Sequence, residues 1–120
     1  MVALGDTFLG GEEVHGEHHL WIVINDPAAH GGIAVFVNIT SLWEDAEITC
    51  ILTHGEHPFV RHDSYVRYRS ARQAKASDLA KLINSGKLKA QQPGKPALLA
   101  KIRAGAKASM MLTTELKALL

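Results

Sequence analysis

The stretch Ile33-Ala34-Val35-Phe36-Val37-Asn38-Ile39-Thr40 is apolar at nearly every position and rich in β-branched side chains. An unbroken run of this kind predicts a central strand buried on both faces, because a strand with one wet face would alternate. Four further runs flank it. Thr7-Phe8-Leu9 ends at Gly10-Gly11, and Leu20-Trp21-Ile22-Val23-Ile24 is stopped by the turn-forming Asn25-Asp26-Pro27. Ile48 to Leu52 follows the acidic turn Glu44-Asp45-Ala46-Glu47, and Ser64 to Tyr68 shows strand alternation. Five short strands joined by Gly and Pro turns suit a small antiparallel barrel over residues 5–70 rather than a parallel sheet.

The texture changes to helix after residue 76. Ser77 suits an N-cap for Asp78 to Asn84, Gly86 is placed to end that helix, and Gln91-Gln92-Pro93-Gly94 is a connector. Pro96 opens a second helix, in which Leu98, Leu99, Ile102 and Ala106 recur at helical spacing. Thr113 or Thr114 caps a short last helix. The expectation is an α+β fold in one domain, 1–120, with a barrel over 1–70 and a helical tail over 77–120 docked on it. The tail is too sparsely apolar to hold a core of its own.

Charge divides the chain in two. Residues 1–60 contain nine acids and no Lys or Arg, whereas residues 61–120 contain all 13 Lys and Arg against Asp63, Asp78 and Glu115. The halves attract each other, or the basic half presents a face to an acidic partner or to phosphates. The single cysteine, Cys50, permits no internal disulfide and fits a reducing cytoplasm. No apolar run is long enough to cross a bilayer, and the first residues do not read as a signal peptide.

Seven histidines are many for this length, and six of them fall in two groups: His15, His18 and His19 in the first long loop, and His54, His57 and His62 around Gly55-Glu56. Imidazole can act as base, acid or metal ligand near neutral pH. Cleavage of RNA by its own 2′-hydroxyl needs one group to take that proton, one to protonate the leaving oxygen, and a donor or cation at the phosphate. Two imidazoles meet the first two needs. His15, His18 or His19 with His54 and His57, and Glu17 or Glu56, can instead be read as metal ligands, although His-x-x-His works only off a strand. Thr40 and Ser41 can donate to a phosphate or simply cap a turn. Trp21 and Trp43 can stack on a base or fill a core, and Arg61, Arg67, Arg69 and Arg72 can meet a nucleic-acid backbone or solvent.

The order of the pieces resembles the PemK/MazF toxins. The matching stretches are Gly5-Asp6-Thr7-Phe8, His18-His19-Leu20-Trp21-Ile22-Val23-Ile24, Val35-Phe36-Val37-Asn38-Ile39-Thr40-Ser41 and Asp63-Ser64-Tyr65-Val66. They fall within residues 4–85. The resemblance implies an SH3-like barrel, a homodimer, a cytoplasmic endoribonuclease that cuts single-stranded RNA with no metal or other cofactor, and an antitoxin partner. The family's loop-end Arg is absent, and His18 or His19 holds its place. The family's catalytic Thr or Ser maps onto Thr40 or Ser41, and His57 or His62 is left as a second proton carrier. Trp21, Arg61 and Arg67 are the candidate substrate contacts. The competing expectations are a non-catalytic interaction barrel that binds a protein or nucleic acid, and a histidine-based metal-binding protein.

Overall fold

The structure is a computed structural model that describes residues 1–10 and 19–120. Its centre is a curled antiparallel sheet, a half-barrel of six strands in the order β4–β5–β3–β2–β1–β6. The strands are β1 Thr7–Gly10, β2 His19–Val23, β3 Ile33–Ser41, β4 Ile51–Leu52, β5 Ser64–Lys75 and β6 Lys89–Gln91. Three helices follow or interrupt them: α1 Ala76–Asn84, α2 Pro96–Ala108 and α3 Thr114–Lys117. None of the described helices is long and apolar enough to cross a membrane.

β3 is covered on both faces, as its unbroken apolar character requires. Val35, Val37 and Ile39 point into one core with Leu20 and Ile22 of β2, where Leu98, Ile102 and Ala106 of α2 form the roof. Ala34 and Phe36 point the other way, into a second core with Phe8, Trp21, Val23 and Leu79 of α1. Phe36 meets both Phe8 and Trp21 edge to face, at centroid distances of 5.6 and 5.4 Å. Each fully buried Leu, Ile or Val contributes about 1.5–3 kcal/mol of transfer free energy, so the two cores dominate the stability of the sheet.

β5 serves both cores because of an irregularity in its pairing with β3. Phe36 pairs with Arg72 and Asn38 with Arg67, so one residue of β3 lies opposite four of β5. The excess is odd, and it reverses which residues face which side. Val66 and Tyr68 therefore face the α2 core, while Ala74 packs on the α1 core.

The sheet departs from the five-stranded expectation at its edges. Lys89-Ala90-Gln91 carries no strand signal, yet it pairs antiparallel with β1, Phe8 opposite Ala90. The free edge of β1 decides this, not the propensity of the tripeptide. β4 shrinks to Ile51–Leu52, and Ile48 stands outside it in solvent. β5 runs straight into α1, whose N-cap is Lys75 with no side-chain cap bond, so Ser77 lies inside the helix. Pro96 does open α2, and the Thr113 hydroxyl caps α3 by accepting from the Leu116 amide.

On the roofed side α2 comes very close to β5. A methyl group at Gly105 would overlap the Tyr68 hydroxyl and lie 3.1 Å from Cys50 Cβ. Glycine is what lets Tyr68 donate to the Ile102 carbonyl at 2.7 Å.

Candidate functional site

The ends of β2 and β3 and the approach to β5 enclose a cavity of about 250 Å³. Leu20 and Ile39 supply apolar lining, and His19, Thr40, Ser41 and His62 supply the polar groups. Pairing places them there. Thr40 is opposite Tyr65 and Ser41 opposite Ser64, which brings the residues just before β5 beside the end of β3. The Leu42 amide donates to the Asp63 carbonyl at 3.1 Å, extending that register through the turn.

Within the cavity Ser41 Oγ lies 2.7 Å from His62 Nε2, and both side chains are exposed. When Nε2 carries no proton, the serine hydroxyl donates to it. When it is protonated, the serine oxygen accepts. The Ser64 hydroxyl donates to the His62 carbonyl at 2.9 Å and holds the backbone that presents the ring. His19, half-buried, completes the polar wall from the first residue of β2. His18 lies outside the described residues, as do His15 and Glu17.

Not every expected residue lines this cavity. His57 is buried and faces Gln92 and the Phe59 amide instead. Trp21 is a core residue whose Nε1 donates to the Gly10 carbonyl at 3.1 Å, with Arg72 over its ring at 5.5 Å. Burial thus takes its stacking face away from solvent. Arg61 stands 5.8 Å from the centroid of the Phe59 ring, and Phe59 and Val60 line the cavity together with His19 and Thr40. Arg67 opens into a neighbouring groove of about 550 Å³, shared with Trp43, Tyr65, Arg69, Met110 and Met111. Trp43 is 55 % exposed, and its Nε1 donates to the Tyr65 hydroxyl at 3.0 Å.

Sequence reasoning missed Phe59 and Ser64. The dipeptide Pro58-Phe59 was a usable signal, since an aromatic residue in a Pro and Gly turn has little core to enter. Ser64 shares a short motif with Asp63.

Among the described residues, three groups away from the cavity have displaced ionisations. Burial pushes the Cys50 thiol up, and the Tyr68 hydroxyl beside it only partly offsets this. Tyr68 is pushed far above the ordinary phenol value, first by burial and then by its thiol neighbour. Glu56 is slightly desolvated, which opposes ionisation, but the Thr53 amide and Lys101 Nζ at 3.0 Å outweigh that and hold its carboxyl below the usual range. Among the described residues no three His, Cys, Asp or Glu side chains converge as a metal site.

No protein-family model and no curated protein sequence matches the chain. Solved structures do. One, described as an endoribonuclease in complex with its cognate antitoxin from a mycobacterial species, superposes with a TM-score of 0.62 at 14 % identity, over 94 % of this chain and 98 % of the other. A second, a MazE–MazF complex from Deinococcus radiodurans, superposes with a TM-score of 0.58 at 15 % identity, over 93 % of this chain and 98 % of the other. The chain has the MazF-type toxin fold that the short sequence stretches resembled.

Proposed function

We propose that this chain is the toxin of a toxin–antitoxin pair and that it cuts single-stranded RNA in the cavity between β2, β3 and β5. The observation that carries this is the contact of Ser41 Oγ with His62 Nε2 at 2.7 Å inside that cavity. Likeness to an endoribonuclease captured with its antitoxin supports it at the level of fold.

The chemistry follows from the groups present. His62, neutral with its Nε2–H donating to the Ser41 oxygen, takes the proton of the 2′-hydroxyl on its free Nδ1, and the 2′-oxygen attacks the adjacent phosphorus. Thr40 and Ser41 hydroxyls donate to the non-bridging oxygens as negative charge builds. His19, protonated, gives its proton to the departing 5′-oxygen. The bond formed is 2′-O to P and the bond broken is P to 5′-O, leaving a 2′,3′-cyclic phosphate and a 5′-hydroxyl. Arg61 supplies the cation near the phosphate, and Arg67 and Trp43 line the neighbouring groove, where a base can stack on the exposed ring. An antitoxin and a second copy of the chain are the expected protein partners, and the reducing cytoplasm suits the free Cys50.

The deciding experiment incubates the purified chain, free of any antitoxin, with single-stranded RNA in EDTA. Cleavage with cyclic-phosphate ends, abolished in His62→Ala, is expected. RNA left whole after long incubation, yet bound in a salt-dependent way, would overturn the proposal and make the barrel a binding module.

A further inference from the structure

His57 is 3 % exposed, and both of its ring nitrogens are engaged. The Phe59 amide donates to Nδ1 at 3.0 Å, so Nδ1 carries no proton. Nε2 then holds the ring proton and donates to the Gln92 carbonyl at 2.7 Å. That carbonyl also accepts from the Thr7 hydroxyl at 2.7 Å, and the Thr7 oxygen lies 3.5 Å from Nε2. One neutral imidazole therefore joins three pieces of chain: the 53–60 turn, the strand β1, and the link between β6 and α2.

The turn it fastens is the one that walls the cavity. Phe59 lines the cavity and carries the Arg61 guanidinium over its ring. From these contacts we infer that His57 is a positioning residue: its neutral Nε2–H form holds Phe59, and through Phe59 Arg61, at the mouth of the site, and protonation of the ring releases them. A second proton on Nδ1 would set one N–H against the Phe59 N–H, so that bond exists only while the ring is neutral. Glu56 and Lys95 share a small cleft with the ring, and Lys101 on α2 is paired with Glu56 at 3.0 Å. From β1 the ring meets the uncharged Thr7 hydroxyl.

The inference rests on the cavity being the working site, but its test reads the latch directly. Long-range ¹H–¹⁵N correlation spectra of the whole chain at pH 8 should show the Nε2–H tautomer for His57. Hydrogen exchange should show the Phe59 amide protected at pH 8 and about tenfold or more less protected at pH 5, while the Val66 amide, bonded to the Cys50 carbonyl in the sheet, keeps its protection. Two variants separate the two bonds. His57→Asn keeps an acceptor where Nδ1 stood and cannot titrate, so Phe59 should stay protected at both pH values. His57→Gln keeps a donor toward Gln92 and should lose Phe59 protection at both. A single-stranded DNA dodecamer, which has no 2′-hydroxyl to be cut, should bind His57→Asn about threefold or more tighter than His57→Gln at pH 7.5. An Nδ1–H tautomer, or Phe59 protection that ignores pH in the wild-type chain, would overturn the inference, and the wild-type series decides it if a variant does not fold. Failure of RNA cleavage alone would count against the nuclease proposal and leave the latch standing.

Discussion

Ser41 Oγ and His62 Nε2, 21 residues apart in sequence, lie 2.7 Å from each other at the end of β3. Two chain segments are needed to make this pair, and the β3–β5 register is what aligns them.

Removing the imidazole should show what the pair does. His62→Ala is expected to lower RNA cleavage by about 10²–10⁴-fold, the range for a positioned acid or base, with little change in melting temperature because the side chain is exposed. Ser41→Ala should cost less, since Thr40 remains at the same cavity wall. Single-turnover cleavage of a defined oligonucleotide, measured beside thermal unfolding, checks both.

The two tryptophans should behave as opposites. Acrylamide should quench Trp43 readily and Trp21 hardly at all, given 55 % exposure against 5 %. Trp43→Ala should leave folding nearly unchanged and weaken single-stranded RNA binding by about 1–3 kcal/mol, the value of one stacked base. Unchanged affinity in Trp43→Ala would remove that ring from the substrate path.

Gly105→Ala tests the closeness of α2 to β5. Alanine normally favours a helix over glycine by about 1 kcal/mol. Here the new methyl group collides with a tyrosine hydroxyl that is tied to Ile102, so net destabilisation of about 1–3 kcal/mol is expected. Adding Tyr68→Phe, which removes the obstructing oxygen, should recover part of the loss. Chemical denaturation of the two single variants and the double variant closes the cycle.

Cys50 and Tyr68 should make the fold sensitive to alkali. Both folded-state values are raised, so their stabilisation is complete below the unfolded values, about 8.5 for a thiol and about 10 for a phenol, and is lost as the pH climbs past each. The urea midpoint should fall from pH 8 to pH 10.5, and Cys50→Ala should flatten the first part of that fall. In the native chain iodoacetamide should modify Cys50 far more slowly than it modifies free cysteine at the same pH.

β3 could be read in the sequence because every position from Val35 to Ile39 has to be buried, and the structure buries each of them. The start of α2 was equally plain from Pro96. β6 was not, because Lys89-Ala90-Gln91 becomes a strand only through the open edge of β1. In the site, His19, Thr40, Ser41 and His62 could be named as residue types, but their meeting depends on which strand lies beside β3. Trp21 and Trp43 show the limit most clearly. Sequence supplies two indole rings, and only packing against Phe36 decides that the first is a core residue.

The α2 roof also sets an order of events at the ribosome. The apolar face made by Leu20, Ile22, Val35 and Val37 is synthesised well before Leu98, Ile102 and Ala106, which cover it. For as long as elongation takes, the nascent chain carries strands with one greasy side uncovered, the form in which chaperones and neighbouring polypeptides have most to grip. The enclosed protein is born only when its second long helix leaves the tunnel.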